Sequence, residues 1–337
     1  MEFHRFRLNQ VFGIFKPLGL FGLFWTLVII SAPASSGIIA QDSPKKTDSK
    51  KDGKGGSTTK AGEGKTSPEA EESSAERRAE LVEEFKKVVA DEPVVVESKH
   101  VILVVPKSVT KNKAQAWVNL AEKHWDLAVK TLVMEDEEVQ ETKLGIFLWA
   151  SGEQLRNYIR RVERRTTEKD DTTSFKTEDW VLRAAGIIPP AKEGALVDHR
   201  AGELTAGLVL GRRARRATGV PEWLSQGFGR ATTWKLAPQN ARPLLDEKRK
   251  AALLARKYNG WQVLNGETAP AEAPALQASA IYYMAFVGTY ASKFPKFVEG
   301  FEPDENNNPR GLPQAFPYAK IGQDDFSSSW KTWAGGK

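Results

Sequence analysis

The sequence predicts an α+β domain in which a half that mixes strands and helices precedes an all-helical half. Short runs rich in β-branched residues alternate with amphipathic helical patterns up to Val197, whereas helical patterns alone continue after Lys235. A pair of helical stretches within Val197–Lys235 joins the two halves. We therefore expect a small strand-containing N-terminal lobe and a helical C-terminal lobe.

Residues 1–40 have the layout of a secretory signal. Basic residues precede an uninterrupted apolar run, Leu18–Ile30, and small residues then lead to Ala34 and Ala40. The apolar run is about 13 residues long, shorter than the roughly 20 residues that span a bilayer as a helix. We expect cleavage after Ala34 or Ala40 and export to the periplasm or cell envelope, with an uncleaved membrane anchor as the alternative.

Composition excludes several kinds of chemistry. The chain contains no cysteine, so disulfide bonds, thiolate catalysis and cysteine-bound zinc are all ruled out. The formal net charge of +6 invites a nucleic-acid interpretation, but export argues against it, and we expect no nucleic-acid partner. Part of the excess positive charge lies in residues 41–74.

Residues 41–74 are rich in Lys, Gly and Ser and contain no aromatic residue. Such a segment cannot bury enough apolar surface to offset the entropy of ordering, so it is predicted to be a disordered linker. It is expected to act as a spacer, with binding of an anionic cell-envelope polymer as the alternative. The folded domain is then residues 75–337.

The N-terminal half of this domain opens with an amphipathic helix that begins near Ala75 and carries Leu81 and Phe85. The remaining expected elements follow in chain order. They are strands Val94–Glu97 and His100–Pro106, a helix Lys111–Val133 capped by Ser108 or Thr110, strand Lys143–Ala150, a helix opened by a Ser151–Gln154 capping box, a polar loop Arg164–Thr177, and strand-like runs Trp180–Ala185 and Gly194–Val197. His100 and His124 are assigned structural roles.

The C-terminal half is predicted to contain helices Leu244–Tyr258, Leu276–Ala291 and Phe326–Trp333, with a loop over Gly266–Pro274. In the joining stretch, the first helix is unusually small-sided at Gly202, Ala206 and Gly207. Glycine inside a helix costs about 1 kcal/mol relative to alanine, so another element is expected to pack closely there.

The arginines of Arg212–Arg216 are expected to be solvated charges at the end of this helix, where they meet its negative dipole end. Gly219 and Pro221 follow as stop signals. A role in holding an acidic partner stays open.

Several stretches resemble the gluzincin metallopeptidases, specifically the peptidase-MA-like domains common in exported bacterial proteins. AGELTAGLVL (Ala201–Leu210) looks like the metal-binding helix of that family, and VPEWLSQGFGRATT (Val220–Thr233) looks like its Pro-x-Trp-Leu-Ser-Glu-Gly helix. Lys143–Ile159 and Ala275–Phe301, with the closing DDFSSSWKTW, match mainly in pattern and order. The likeness covers most of residues 76–334 and implies a gluzincin, zincin-like fold.

The family's catalytic roles carry over poorly. Its two zinc-binding histidines fall on Gly202 and Ala206, its general base falls on Glu203, and its third zinc ligand falls on Gln226. Only Glu203 matches, so the resemblance implies the fold together with a lost zinc site. His199 lies one turn before Glu203, and a rearranged metal site there would lack a second imidazole.

The leading hypothesis is an exported pseudopeptidase that needs no cofactor and binds a peptide or protein segment in a vestigial cleft formed by Gly202, Glu203, Ala206, Gln226 and His199. Two alternatives stay open. One is a zinc-dependent hydrolase that uses His199 and Glu203. The other is an envelope-surface protein that acts through its basic linker.

Overall fold

The strands of the N-terminal half form one mixed sheet. The computed structural model describes residues 68–135, 143–168, 172–177, 182–190, 196–215 and 220–336. The strands are β1 (Val94–Glu97), β2 (Val101–Val105), β3 (Leu144–Trp149), β4 (Thr173–Lys176) and β5 (Arg183–Ile187). Their order is β1-β2-β3-β5-β4, with β2, β3 and β5 parallel and the outer strands antiparallel.

Helices cover this sheet and make up most of the described chain after it. They are α1 (Pro68–Lys86), α2 (Lys111–Leu132), α3 (Gly152–Arg161), α4 (Arg200–Arg213), α5 (Glu222–Leu236), α6 (Arg242–Leu254), α7 (Gly260–Leu264), α8 (Ala273–Phe286), α9 (Phe294–Glu299), α10 (Leu312–Tyr318) and α11 (Gln323–Ala334). Together with the sheet they confirm the predicted α+β class and its order, strands first and helices after.

Alternation along the central strands divides the buried residues between the two faces of the sheet. Ile102 and Phe147 belong to a core cluster that also contains residues of α1 and α3. Leu103 and Ile146 belong to a larger cluster that contains α2, α4 and the helical half as far as Trp330. The central strands are buried on both faces, which is why they read as continuous apolar runs.

Most predicted elements are confirmed, and the exceptions have local causes. Helix α1 begins at Pro68 rather than near Ala75, because proline at the first position and an acidic first turn favour a helix start. The predicted polar loop Arg164–Thr177 contains β4, which pairs with β5 along the sheet edge. Residues 196–199 form a 3₁₀ turn rather than a strand.

The arginines at the end of α4 are not all solvated, which corrects the prediction. Arg213 pairs with Glu299 on α9, and its side chain is only 19% exposed. The helical half thus supplies a carboxylate that the sequence pattern alone did not reveal. Arg216 and Gly219 lie outside the described residues.

Helices α4 and α5 pack closely along their small residues. A Cβ atom on Gly229 would lie 2.3 Å from the backbone oxygen of Glu203, and one on Gly207 would lie 3.1 Å from the backbone oxygen of Ser225 on α5 and 2.5 Å from Cε1 of Phe175 on β4. The close approach accounts for the glycines in the middle of both helices. It also sets the two helices so that side chains of α5 reach Glu203.

The predictions for the N-terminal segment fall largely outside the described residues. The expected signal, residues 1–40, and most of the expected linker, residues 41–67, are not described. Among the helices of residues 68–336 that are described, none combines the length and apolarity needed to cross a membrane.

Candidate functional site

Glu203 lies at the centre of the candidate site, in the first turn of α4. It is 5% exposed, and both carboxylate oxygens accept hydrogen bonds. Arg230 Nη1 and Thr233 Oγ1, both on α5, donate to Oε1 at 2.7 and 2.9 Å. Arg200 Nη1, one turn earlier on α4, donates to Oε2 at 3.0 Å. The carboxylate is therefore held by two guanidinium groups and one hydroxyl.

These partners determine the protonation state of Glu203. Burial alone would raise the pKa of its carboxyl group, but the positive charges of Arg230 and Arg200 and their hydrogen bonds outweigh burial and lower the pKa to about 2. Burial opposes the charge of Arg230 as well, yet Glu203 and Glu247 raise the pKa of its guanidinium group. Glu203 is an anion at neutral pH.

Arg230 links Glu203 to a second acid on α6. Its Nε donates to both carboxylate oxygens of Glu247 at 3.0 Å, and its Nη2 lies 2.8 Å from Oε2. One guanidinium group thus joins helices α4, α5 and α6 through two carboxylates. Fork-shaped donors of this kind fix geometry as well as charge.

Glu203 and Arg230 form part of the wall of a cavity of about 770 Å³. The polar lining also includes Arg200, Gln226 and Glu247. The apolar lining comes mainly from the segment after β5, from α6 and from the start of α8. Its members include Ile187, Ile188, Pro189, Pro190, Leu196, Pro243, Pro274 and Ala275. Asp246 and Lys250 add further charge to the polar side, and a cavity that combines apolar walls with converging polar groups is typical of a ligand-binding site.

Gln226 lies in this cavity wall but makes its polar contacts away from Glu203. Its amide Nε2 donates to Thr173 Oγ1 on β4 at 2.6 Å and also to Glu222. The Thr173 hydroxyl in turn donates to Glu222. This network ties the edge strand of the sheet to the start of α5.

Gly202 and Ala206 do not line the cavity. Both are buried, and the ring of His124 on α2 covers Gly202. A Cβ atom on Gly202 would lie 2.1 Å from His124 Cδ2. The glycine at this position therefore makes room for an imidazole that comes from another helix.

His199 likewise lies away from the cavity lining and contacts His124. His199 Nδ1 is 3.0 Å from His124 Nε2. The sequence predicts no second imidazole near His199, and the structure places that of His124 there. The Thr232 hydroxyl donates to the carbonyl oxygen of Gly229 and lies 2.7 Å from His124 Nδ1. Because that hydroxyl proton is used, His124 Nδ1 is the donor to Thr232, and His124 Nε2 accepts from His199 Nδ1.

Burial keeps this histidine pair neutral. Burial, with a smaller contribution from the neighbouring His199, lowers the pKa of His124 to about 3. Burial also lowers the pKa of His199, although Glu203 opposes the shift. Hydrogen bonds thus connect His199, the residue before α4, to His124 on α2 and from there to Thr232 on α5.

The residues at the family's zinc positions do not fit a zinc ion. Gly202 and Ala206 offer no ligand atom, and Gln226 offers only a neutral amide oxygen. The Glu203 carboxylate at the neighbouring general-base position is engaged by arginines. In the parts of the chain that the structure describes, no three His, Asp or Glu side chains are grouped closely enough to hold a metal.

Sequence reasoning identified Glu203 and Gln226 but not the partners that determine their chemistry. Arg230 lies one helical turn after Gln226, and Arg200 lies three residues before Glu203, so helical spacing could have suggested both. Nothing in the sequence pattern pointed to His124 or Glu247, which approach from α2 and α6.

No protein-family model matches this chain, and neither does any curated protein.

Proposed function

We propose that this protein is a catalytically inactive member of the gluzincin fold that binds a peptide or protein segment in the cavity beside Glu203. The observation that carries the proposal is the engagement of Glu203 by Arg230, Arg200 and Thr233. A general base needs a pKa near the working pH and access to a proton. A carboxylate with a pKa of about 2 and two bonded arginines has neither.

The surroundings of Glu203 support a binding role. Arg230 is held in the cavity wall between Glu203 and Glu247, and Glu203 is the residue whose counterpart in the family acts next to a zinc ion. The cavity is large enough for several amino-acid residues, and its apolar walls beside a strongly polar side suit an extended peptide with both kinds of side chain. Export of the protein stays a prediction from residues 1–40.

Binding is tested with a phage-displayed library of random 12-residue peptides selected against the full chain. Enriched peptides are then synthesised, and their affinity is measured by fluorescence anisotropy. Gln277 lines the cavity, and a Gln277→Trp substitution should weaken binding at least tenfold by filling it. Gln323 is exposed at the start of α11, and Gln323→Trp is the matched control. Equal affinities for both variants would overturn the cavity assignment.

Catalytic inactivity is tested separately. The protein, purified without chelator, should carry no stoichiometric zinc by elemental analysis and should not cleave unfolded casein with or without added Zn²⁺. Stoichiometric zinc that disappears on His199→Ala, together with casein cleavage that disappears on Glu203→Gln, would establish the hydrolase alternative instead.

A further inference from the structure

The outer face of α6 combines exposed leucines with exposed arginines. Among the described residues, four large apolar side chains are exposed: Val133, Leu245, Leu253 and Tyr318. Two of the four, Leu245 and Leu253, lie on α6 and are 36% and 63% exposed. They are eight residues apart, or about 12 Å along the helix.

Arginines share this face. Arg242, Leu245, Arg249 and Leu253 follow one another at steps of three or four residues, which places them along one side of the helix. The side chains of Arg242 and Arg249 are 92% and 75% exposed, and both lie near Asp246, which is between them on the helix, at 3.8 and 3.4 Å. The exposed charged residues from 242 to 257 are five cations and one carboxylate: Arg242, Arg249, Lys250, Arg256, Lys257 and Asp246.

The fold does not require this surface. The inner side of α6 supplies the contacts that hold the helix, through buried Leu244 and Ala251 and through Glu247, which binds Arg230. Leu253, by contrast, is 63% exposed and buries less of its side chain than Leu244 does. Leu245 and Leu253 therefore form a small exposed apolar patch on a mainly basic face, and a partner surface with apolar and anionic groups would complement it.

We propose that this outer face of α6, defined by Arg242, Leu245, Arg249 and Leu253 together with Arg256 in the turn that follows the helix, docks on the surface of an anionic lipid bilayer. The two leucines would enter the boundary between headgroups and acyl chains, while the longer arginine side chains would meet lipid phosphates. A nucleic acid would satisfy the arginines but would offer nothing to the leucines, so a lipid surface fits both kinds of side chain.

Docking in this orientation has a consequence for the cavity. Helix α6 also supplies Pro243, Glu247 and Lys250 to the cavity wall, so a docked protein holds the cavity beside the lipid surface. The inference does not depend on what the cavity binds, and it can be tested without a peptide ligand.

Because the chain contains no cysteine, a single introduced cysteine can report on one position of the full-length protein. Leu253→Cys is labelled with the environment-sensitive fluorophore NBD and mixed with vesicles of phosphatidylglycerol and phosphatidylcholine. We expect a blue shift and increased intensity, and no change with pure phosphatidylcholine. Val133→Cys, at a position 71% exposed at the end of α2, is the matched control. Its label should be unaffected even if another segment of the chain binds lipid.

Charge reversal tests the role of the arginines. In the labelled Leu253→Cys protein, Arg249→Glu with Arg256→Glu should raise the lipid concentration for half-maximal signal more than tenfold, since each basic residue contributes about fivefold. The same charge change at exposed Arg160 and Arg164 should have a much smaller effect. Three outcomes would overturn the proposal: equal signals from both label positions, no sensitivity to Arg249 and Arg256, or a signal with DNA or polyglutamate but not with vesicles.

Discussion

Glu203 shows how neighbouring side chains change the chemistry of a residue whose local sequence looks catalytic. The helix that carries it predicts a general base, but the guanidinium groups of Arg230 and Arg200 stabilise its charge so strongly that the pKa falls to about 2. The carboxylate thereby becomes part of an ion-pair network that joins α4, α5 and α6. This network fixes the three helices relative to one another. Because the carboxylate of Glu203 stays ionised, it does not exchange a proton near neutral pH.

The lowered pKa predicts a pH dependence of stability. An unfolded glutamate titrates near its ordinary value of 4.5, so the stabilisation from ionised Glu203 is fully present above about pH 5 and is lost as the pH falls towards 2. The shift corresponds to about 3 kcal/mol. We expect the difference in unfolding free energy between the wild type and Glu203→Gln to shrink by about that amount across this range, as measured by urea denaturation. A difference independent of pH would contradict the assignment.

His124 and Gly202 form a second residue-scale pair, because the imidazole occupies the space that a side chain at position 202 would need. Gly202→Ala should destabilise the protein by about 3 kcal/mol through overpacking. In a His124→Ala background the same change should cost less than about 1 kcal/mol, since the space is vacant and alanine favours the helix. Urea denaturation of the four proteins of this double-mutant cycle measures the coupling. Additive effects would show that the ring does not limit position 202.

At the scale of elements, α4 and α5 approach each other through small residues, and the limiting contact involves backbone. Gly229→Ala should cost about 3 kcal/mol or more, because the new methyl group would meet the Glu203 carbonyl, which cannot move without shifting α4. Gly211→Ala is the matched control in α4. Its Cβ would lie 3.2 Å from Thr177 Cγ2, and the gain in helix propensity offsets the contact, so we expect a change within about 1 kcal/mol. Thermal and urea unfolding of both variants would compare them, and equal costs would contradict the close approach.

At the scale of the whole molecule, the two predicted lobes share one hydrophobic core. The cluster that contains Leu103 and Ile146 of the sheet also contains Phe297 and Trp330 of the helical half. The Arg213–Glu299 pair adds a polar link between α4 and α9. The halves that composition and pattern separate along the chain are therefore continuous in space.

A shared core predicts one cooperative unfolding transition for the folded part of the chain. Differential scanning calorimetry should show a single peak whose midpoint coincides with the loss of far-ultraviolet and near-ultraviolet circular dichroism. Two resolved transitions, or a helical half that unfolds at a lower temperature than the sheet, would show that the lobes are independent.

Strand and helix boundaries were predictable wherever local periodicity decides them. Val94–Glu97 was predicted to its exact ends, and α2 was predicted to within one residue. Strand β4 and the 3₁₀ turn at 196–199 were missed, because a four-residue edge strand depends on its neighbour β5 rather than on its own pattern. The gluzincin fold stays a proposal that rests on the resemblance.

By itself the sequence determined the α+β class, the order of the elements, the absence of cysteine chemistry and the position of Glu203 on a small-sided helix. Only the tertiary structure decided what surrounds that residue: Arg230 and Thr233 from α5, Glu247 from α6, and His124 from α2 over Gly202. Periodicity reports which face of a helix is buried, whereas protonation and reactivity depend on charges within a few ångströms. Arg200 lies only three residues before Glu203, but Arg230 and Glu247 lie 27 and 44 positions after it (230 minus 203 and 247 minus 203), and only the packing of α5 and α6 against α4 brings them to it.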